Sequence, residues 1–216
     1  MMFRSRGLSA GLGVAALLAI QCGQAPAAQT EWKRSVIEES HFSIAVPPEW
    51  IAIDLDPATV DSRLDEIGAA NPELGKSFSP NVRALIKSGV KFMAFDAAAD
   101  FSKVTHPTSV NVIFNPKPFD GGMEKYVAEG VAEFKALAGV QGEPTHGLLE
   151  VNGHQAGRIG FRSIPDPATG AEVTMTQVYV LVDGGSLTFT FTTPSSQSAH
   201  YEAVFKEITE SIRILD

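Results

Sequence analysis

Cysteine is nearly missing from this chain: Cys22 is the single one in 216 residues. A lone thiol cannot close an intramolecular disulfide, so packing must hold the fold together. Cations are in the minority, 17 Lys and Arg against 25 Asp and Glu, for a net charge of −8. Phosphate backbones are bound by clustered Lys and Arg, which argues against nucleic acid as a partner and, in the same way, against anionic membrane surfaces. There is no G-x-S-x-G turn around a serine, no glycine-rich phosphate loop, no internal repeat and no low-complexity tract. The longest apolar stretch, "LSAGLGVAALLAI" from Leu8 to Ile20, is shorter than the ~20 residues that span a bilayer core.

That stretch has another use. Arg4 and Arg6 precede it, and small residues follow it in "CGQAPAAQT", where Ala25 and Ala27 form an A-x-A cleavage pattern. Charge, apolar core and small residues, in that order, predict a signal peptide over residues 1–28 and a mature chain beginning near Ala28. Cys22 offers an alternative, a lipid attached to the cysteine after cleavage just before it. Ala19 and Gln21 stand where that cut wants a large aliphatic and a small residue, so release is the preferred reading. Under either, the protein is exported, periplasmic or secreted, with no membrane-spanning segment after cleavage. Residues 29–216 suffice for a single domain, which at this size buries roughly 70% of its unfolded surface.

Along the mature chain, a strand from Trp32 to Glu38 leads into "FSIAV", with Phe42, Ile44 and Val46 at period two. Neither Pro47 nor Pro48 can donate to a ladder, so the strand must stop there; Trp50, Ile51 and Ile53 are expected to fold back beneath the sheet. Pro57 suits a first helical position ahead of Val60, Leu64 and Ile67, and a second helix starts at Ser79-Pro80. "VKFMAFD" and "SVNVIFN" read as strands, and Asp120 as the cap of a helix with Met123, Val127, Val131, Phe134 and Ala138 on one side. Asn152-Gly153 is a two-residue hairpin signal. Gly184-Gly185 is read as another, opposing Val178 to Phe191, Val180 to Phe189 and Val182 to Leu187. A closing helix carries Tyr201, Val204, Phe205, Ile208 and Ile212. Hairpins interleaved with helices imply α+β, an antiparallel sheet sandwiched by helices.

"FSIAVPPEW", "NVIFN", "LLEVNGHQAGRIGF", "TQVYVLVDGGSLTFTF" and the closing helix together resemble the PsbP-like superfamily over roughly residues 32–215. Pro47 and Trp50 match its proline-x-x-tryptophan turn, and Asn152-Gly153 its central hairpin glycine; Glu49 departs from the small residue often found before that tryptophan. The long helical insert from Pro57 to Ser88 is similar to the exported bacterial DcrB-like or LpqN-like branch. The resemblance implies a PsbP-like α/β/α sandwich and a binding or assembly role without catalysis.

Candidate chemistry is sparse. With Asn152-Gly153 at the turn, His154 opposes Val151 and His146 opposes Ile159, which separates the imidazoles by roughly 17 Å at about 3.4 Å per residue. They cannot share a metal, and no metal or cofactor is expected. Asp54 with Asp56, and Asp96 with Asp100, stand at element ends where solvated acids are common. Two binding surfaces are candidates: the loop carrying Phe101, Lys103 and His106, where an aromatic in a polar loop can anchor a partner, and Tyr179 with Thr188 and Thr190, if no helix covers that face. The expectation is an exported, non-catalytic binding or assembly module of the cell envelope, with an envelope or secreted protein as partner. The alternative is a carrier or sensor of an apolar small molecule held between sheet and helix; a hydrolase with dispersed residues is the third reading.

Overall fold

The computed structural model describes residues 31–55, 58, 60–70, 85–98, 106–165 and 170–215. The expected signal peptide, Cys22, Pro57, the helix start at Ser79-Pro80, Phe101 and Lys103 lie outside the described residues.

The first hairpin forms as its alternation requires. Strand β1 (Lys33–Ile37) pairs antiparallel with β2 (Phe42–Val46), and His41 makes the turn with φ at 53°. All five residues of β2 are buried. Phe42, Ile44 and Val46 point into the main core, while the main chain of Ala45 bonds the Ser211 hydroxyl near the other end of the chain.

The two prolines mark a change of sheet. Trp50 N donates to Pro47 O at 3.0 Å, closing a turn, and Trp50 then opens β3 (Trp50–Asp54) at the edge of a second sheet. Trp50, Ile51 and Ile53 therefore build a strand of that sheet instead of folding beneath one. Period two sends Trp50 to one face and Ile53 to the other.

Helix α1 (Val60–Ala70) follows, then β4 (Val90–Asp96), β5 (Ser109–Asn115) and helix α2 (Gly122–Ala136). Two hairpins come next, β6 (Val140–Val151) with β7 (His154–Ser163) and β8 (Val173–Val182) with β9 (Gly185–Pro194). Helix α3 (Ser198–Ser211) and β10 (Arg213–Ile214) end the chain. The seven-stranded sheet has the order β3-β4-β5-β9-β8-β7-β6 and is antiparallel throughout; β1, β2 and β10 make a smaller three-stranded sheet. The α+β class and antiparallel pairing are as the sequence implies. The small second sheet was not legible, because β10 is only two residues long.

Alternation assigns the layers. Phe92, Ala94, Val110, Val112, Val178 and Phe189 face β2 and α3 in the main core, where Phe42 meets Phe189 edge-on at 5.6 Å. On the opposite face Met93 and Phe95 lie under α1, and Ile159 and Tyr179 under α2. Helix α2 differs from expectation at both ends. Gly121, not Asp120, holds the N-cap position, with no side-chain cap bond, and the helix stops before Ala138, which is exposed. Met123, Val127 and Val131 are buried as the stripe predicts. The helix can lie so close because Gly157 has no side chain: a Cβ there would sit 2.2 Å from Val127 Cγ2.

The last two hairpins separate a correct register from a shifted one. Asn152 (φ 51°) and Gly153 (φ 81°) form the turn with both residues left-handed, and Val151 pairs with His154 and His146 with Ile159 as expected. The second turn is Asp183-Gly184, with Val182 paired to Gly185, Val180 to Leu187 and Val178 to Phe189. The expected pairing is thus off by two residues, which leaves every side chain on its assigned face. Gly184 supplies the positive φ of 79°. Gly185 serves proximity instead, since a Cβ on it would stand 2.1 Å from Asn115 O on β5.

Candidate functional site

The face of β8 that carries Thr174, Thr176 and Val178 is only partly roofed by α3, and the space between them is a groove of about 610 Å³. Its floor is set by register: Thr176 pairs with Phe191, Thr174 with Thr193, and Arg158 of β7 with Val178. Val178 and Phe191 are buried, at 2% and 0% exposure, and close the bottom with Phe205 of α3, whose ring lies 5.1 Å from that of Phe191. Gly160 pairs with Thr176, and the Thr145 hydroxyl takes the place its side chain would have, donating to Gly160 O at 3.3 Å.

The helical wall runs from Ser198 to Glu210, about 18 Å at 1.5 Å per residue. At its N-terminal end the hydroxyls are already bonded, Thr174 Oγ1 to Ser195 Oγ at 3.0 Å and Thr193 Oγ1 to Thr108 Oγ1 at 2.9 Å. Further along, Lys206 pairs with Glu210 at 3.7 Å. Arg158 on the sheet side, Glu202 on the helix side and the Thr176 hydroxyl have no hydrogen-bond or ion-pair partner among the described residues. The groove therefore presents a sealed apolar bottom and, above it, Arg158 on the sheet side and the acids Glu150 and Glu202, none of them paired among the described residues.

Behind α3 lies a polar cluster. Asp96 is 9% exposed, accepts from the Tyr201 hydroxyl and takes the Ala98 amide at 2.8 Å. This corrects the expectation of a solvated acid at a strand end. Burial first, and the bond to Asp96 second, push the Tyr201 phenol up to about 12. Trp50 packs edge-on to the Tyr201 ring at 6.5 Å, so the tryptophan of the "PPEW" turn buttresses this cluster.

The residues singled out from the sequence are not brought together. His106 is exposed in a bend, and Phe101 and Lys103 are outside the described residues. Tyr179 is 7% exposed and lies under α2, with its ring 5.2 Å from Tyr126 and its hydroxyl donating to Gln177 Oε1. Burial, then Tyr126 and Glu133, push its phenol well above the ordinary tyrosine value. The condition that no helix cover that face is thus not met. Ser186 is fully buried, with Oγ 3.2 Å from the Tyr126 hydroxyl. No three His, Cys, Asp or Glu among the described residues are placed to hold a metal ion, and no described helix is long and apolar enough to cross a membrane. Arg158 and Glu202 were missed. The Asn152-Gly153 turn places Arg158 on the same face as Ala156, but only the packing of α3 shows that this face is left partly open there.

These layers define a class, the α+β fold shared by PsbP and Mog1. No family model and no curated protein matches the chain. Among solved structures it is similar to cyanobacterial PsbP (CyanoP) from Synechocystis sp. PCC 6803, at 13% identity and a TM-score of 0.53, covering 96% of this chain and 98% of that one. It is similar to the Ran-binding protein Mog1p of Saccharomyces cerevisiae, at 10% identity and TM-score 0.50, covering 87% and 97%. It is also similar to LpqN of Mycobacterium tuberculosis, described as involved in cell envelope biogenesis, at 13% identity and TM-score 0.50, covering 86% of each chain.

Proposed function

We propose that this chain is an exported, non-catalytic binding or assembly module of the cell envelope, of the LpqN-like or DcrB-like kind, with an envelope or secreted protein as its partner. The observation that carries the reading is the groove itself, whose apolar bottom and polar rim suit recognition. Of the charged groups that line it, Lys206 and Glu210 form a surface ion pair at 3.7 Å. Two of the similar structures carry names of the same tenor, one Ran-binding and one involved in cell envelope biogenesis. The leader-like residues 1–28 support export.

A second reading, a carrier or sensor of a small molecule with an apolar part, is favoured by the place and size of the groove. It lies between sheet and helix, and about 610 Å³ is within the usual range for one small ligand. Affinity capture from the envelope fraction of the source cell tests the first reading. Ala199 lines the groove from an exposed helix position, so Ala199→Trp blocks the groove and leaves the fold intact. The expected result is a partner retained by the wild-type chain and by Phe101→Ala, and lost with Ala199→Trp. Capture lost with Phe101→Ala alone moves the site to the loop, and no captured protein at all removes the first reading.

A further inference from the structure

The rim of the groove carries more information than its volume. Of the charges lining it, Lys206 and Glu210 neutralise each other at 3.7 Å, and Glu150 is an exposed acid on the edge strand β6. Arg158 and Glu202 stand on the two walls. One projects from the sheet beside Val178, the other from α3 one turn before Phe205, and neither has an ion-pair partner among the described residues. A wholly anionic ligand would meet Glu202 at close range, and a wholly cationic one would meet Arg158. A neutral apolar ligand would engage neither charge. An occupant carrying both signs satisfies the two at once.

Resting on the second reading above, we infer that the groove holds a zwitterionic amphiphile: an apolar chain lies over Val178, Phe191 and Phe205, and the head group directs its anionic part to Arg158 and its cationic part to Glu202. The Thr176 hydroxyl, which lines the groove without a partner among the described residues, gives the anionic part a second donor. Arginine suits this position because its planar fork takes a carboxylate or a phosphate through two parallel bonds. The two sources of such a head, a phospholipid-type phosphodiester and an amino-acid carboxylate, share this chemistry.

Binding of a panel of probes with one dodecyl tail tests the inference. Dodecylphosphocholine, N-dodecanoyl-lysine with its free α-amino and carboxylate groups, dodecanoate, dodecyltrimethylammonium and dodecyl maltoside are titrated below their micelle concentrations into the purified protein, with NMR shifts at Val178, Phe191 and Phe205 as the site readout. Each exposed charge contact is worth about two- to fivefold, so at least one zwitterion is expected to bind about tenfold tighter than the maltoside. Which zwitterion it is separates the phosphate source from the carboxylate source. Arg158→Glu and Glu202→Lys each remove that preference, and the double reversal restores it. If all heads bind alike and the single reversals change nothing, the zwitterion inference is overturned, while the groove stands as an apolar site. If no probe shifts the groove resonances but Ala199→Trp abolishes partner capture, a protein segment occupies the groove and the amphiphile is overturned.

Discussion

The contact between Tyr201 and Asp96 joins α3 to the end of β4, two elements 105 positions apart in the chain. A hydrogen bond to a charged acceptor is worth about 1.5–3 kcal/mol. Tyr201 is half-buried, so water can partly replace its hydroxyl, and the lower end of that range applies. Asp96 keeps a second donor in the Ala98 amide, which limits the loss when the phenol is removed. Tyr201→Phe and Asp96→Asn should therefore each cost about 1–2 kcal/mol, and the double variant should cost about 1 kcal/mol less than their sum. Urea denaturation of the four proteins in one buffer measures this, with the slope unchanged if only the contact is lost. At this chain length each kcal/mol lowers the melting temperature by about 2–4 °C. Costs that add to within ~0.3 kcal/mol would mean that the two side chains are independently solvated, and the coupling argued here would be refuted.

Three further outcomes follow from the geometry. The Tyr201 phenol is raised in the fold, so its contribution is complete below about pH 10 and is lost as pH rises through about 12; a tyrosinate absorbance titration should show a late step that Tyr201→Phe removes, and wild type should lose more stability than that variant between pH 9 and 11.5. Gly185→Ala places a methyl 2.1 Å from the Asn115 carbonyl oxygen, which backbone must yield to, and should cost about 1–3 kcal/mol by denaturation, whereas Gly153→Ala meets open space and should cost about 1 kcal/mol from its positive φ alone. Ser211→Ala removes the hydroxyl that accepts from the Ala45 amide at 2.9 Å while donating to Ile208 O and should cost about 1–2 kcal/mol, with faster hydrogen exchange at Ala45 as the accompanying signature.

The fold was readable where local chemistry was unambiguous. Asn152-Gly153 fixed a register that the structure reproduces to the residue, since two adjacent left-handed positions admit one hairpin geometry. Gly184-Gly185 misled because a glycine pair does not say which member turns the chain; Asn115, distant in sequence, decides that Gly185 is the one that must stay small. Asp96 shows the same limit. Its strand position suggested solvent, and only Tyr201 of α3 closes over it. The groove depends on how far α3 reaches across the sheet, a distance that periodicity along one element does not encode. Charge alternation could at most have placed Arg158 on the correct face.

Residues far apart in the chain complete one layer: β10 pairs with β2, Arg213 opposite Ser43 and Ile214 opposite Phe42, and Arg34 donates to both the Ser43 hydroxyl and the Ser211 carbonyl. The phenylalanine-rich surface of the large sheet is shut by β2 together with α3, whose mutual contact at Ala45 and Ser211 joins positions 166 apart, a closure of long reach that nearby contacts cannot substitute. Trimming a few residues after Ile208 would leave a sticky, protease-sensitive body in place of a finished one.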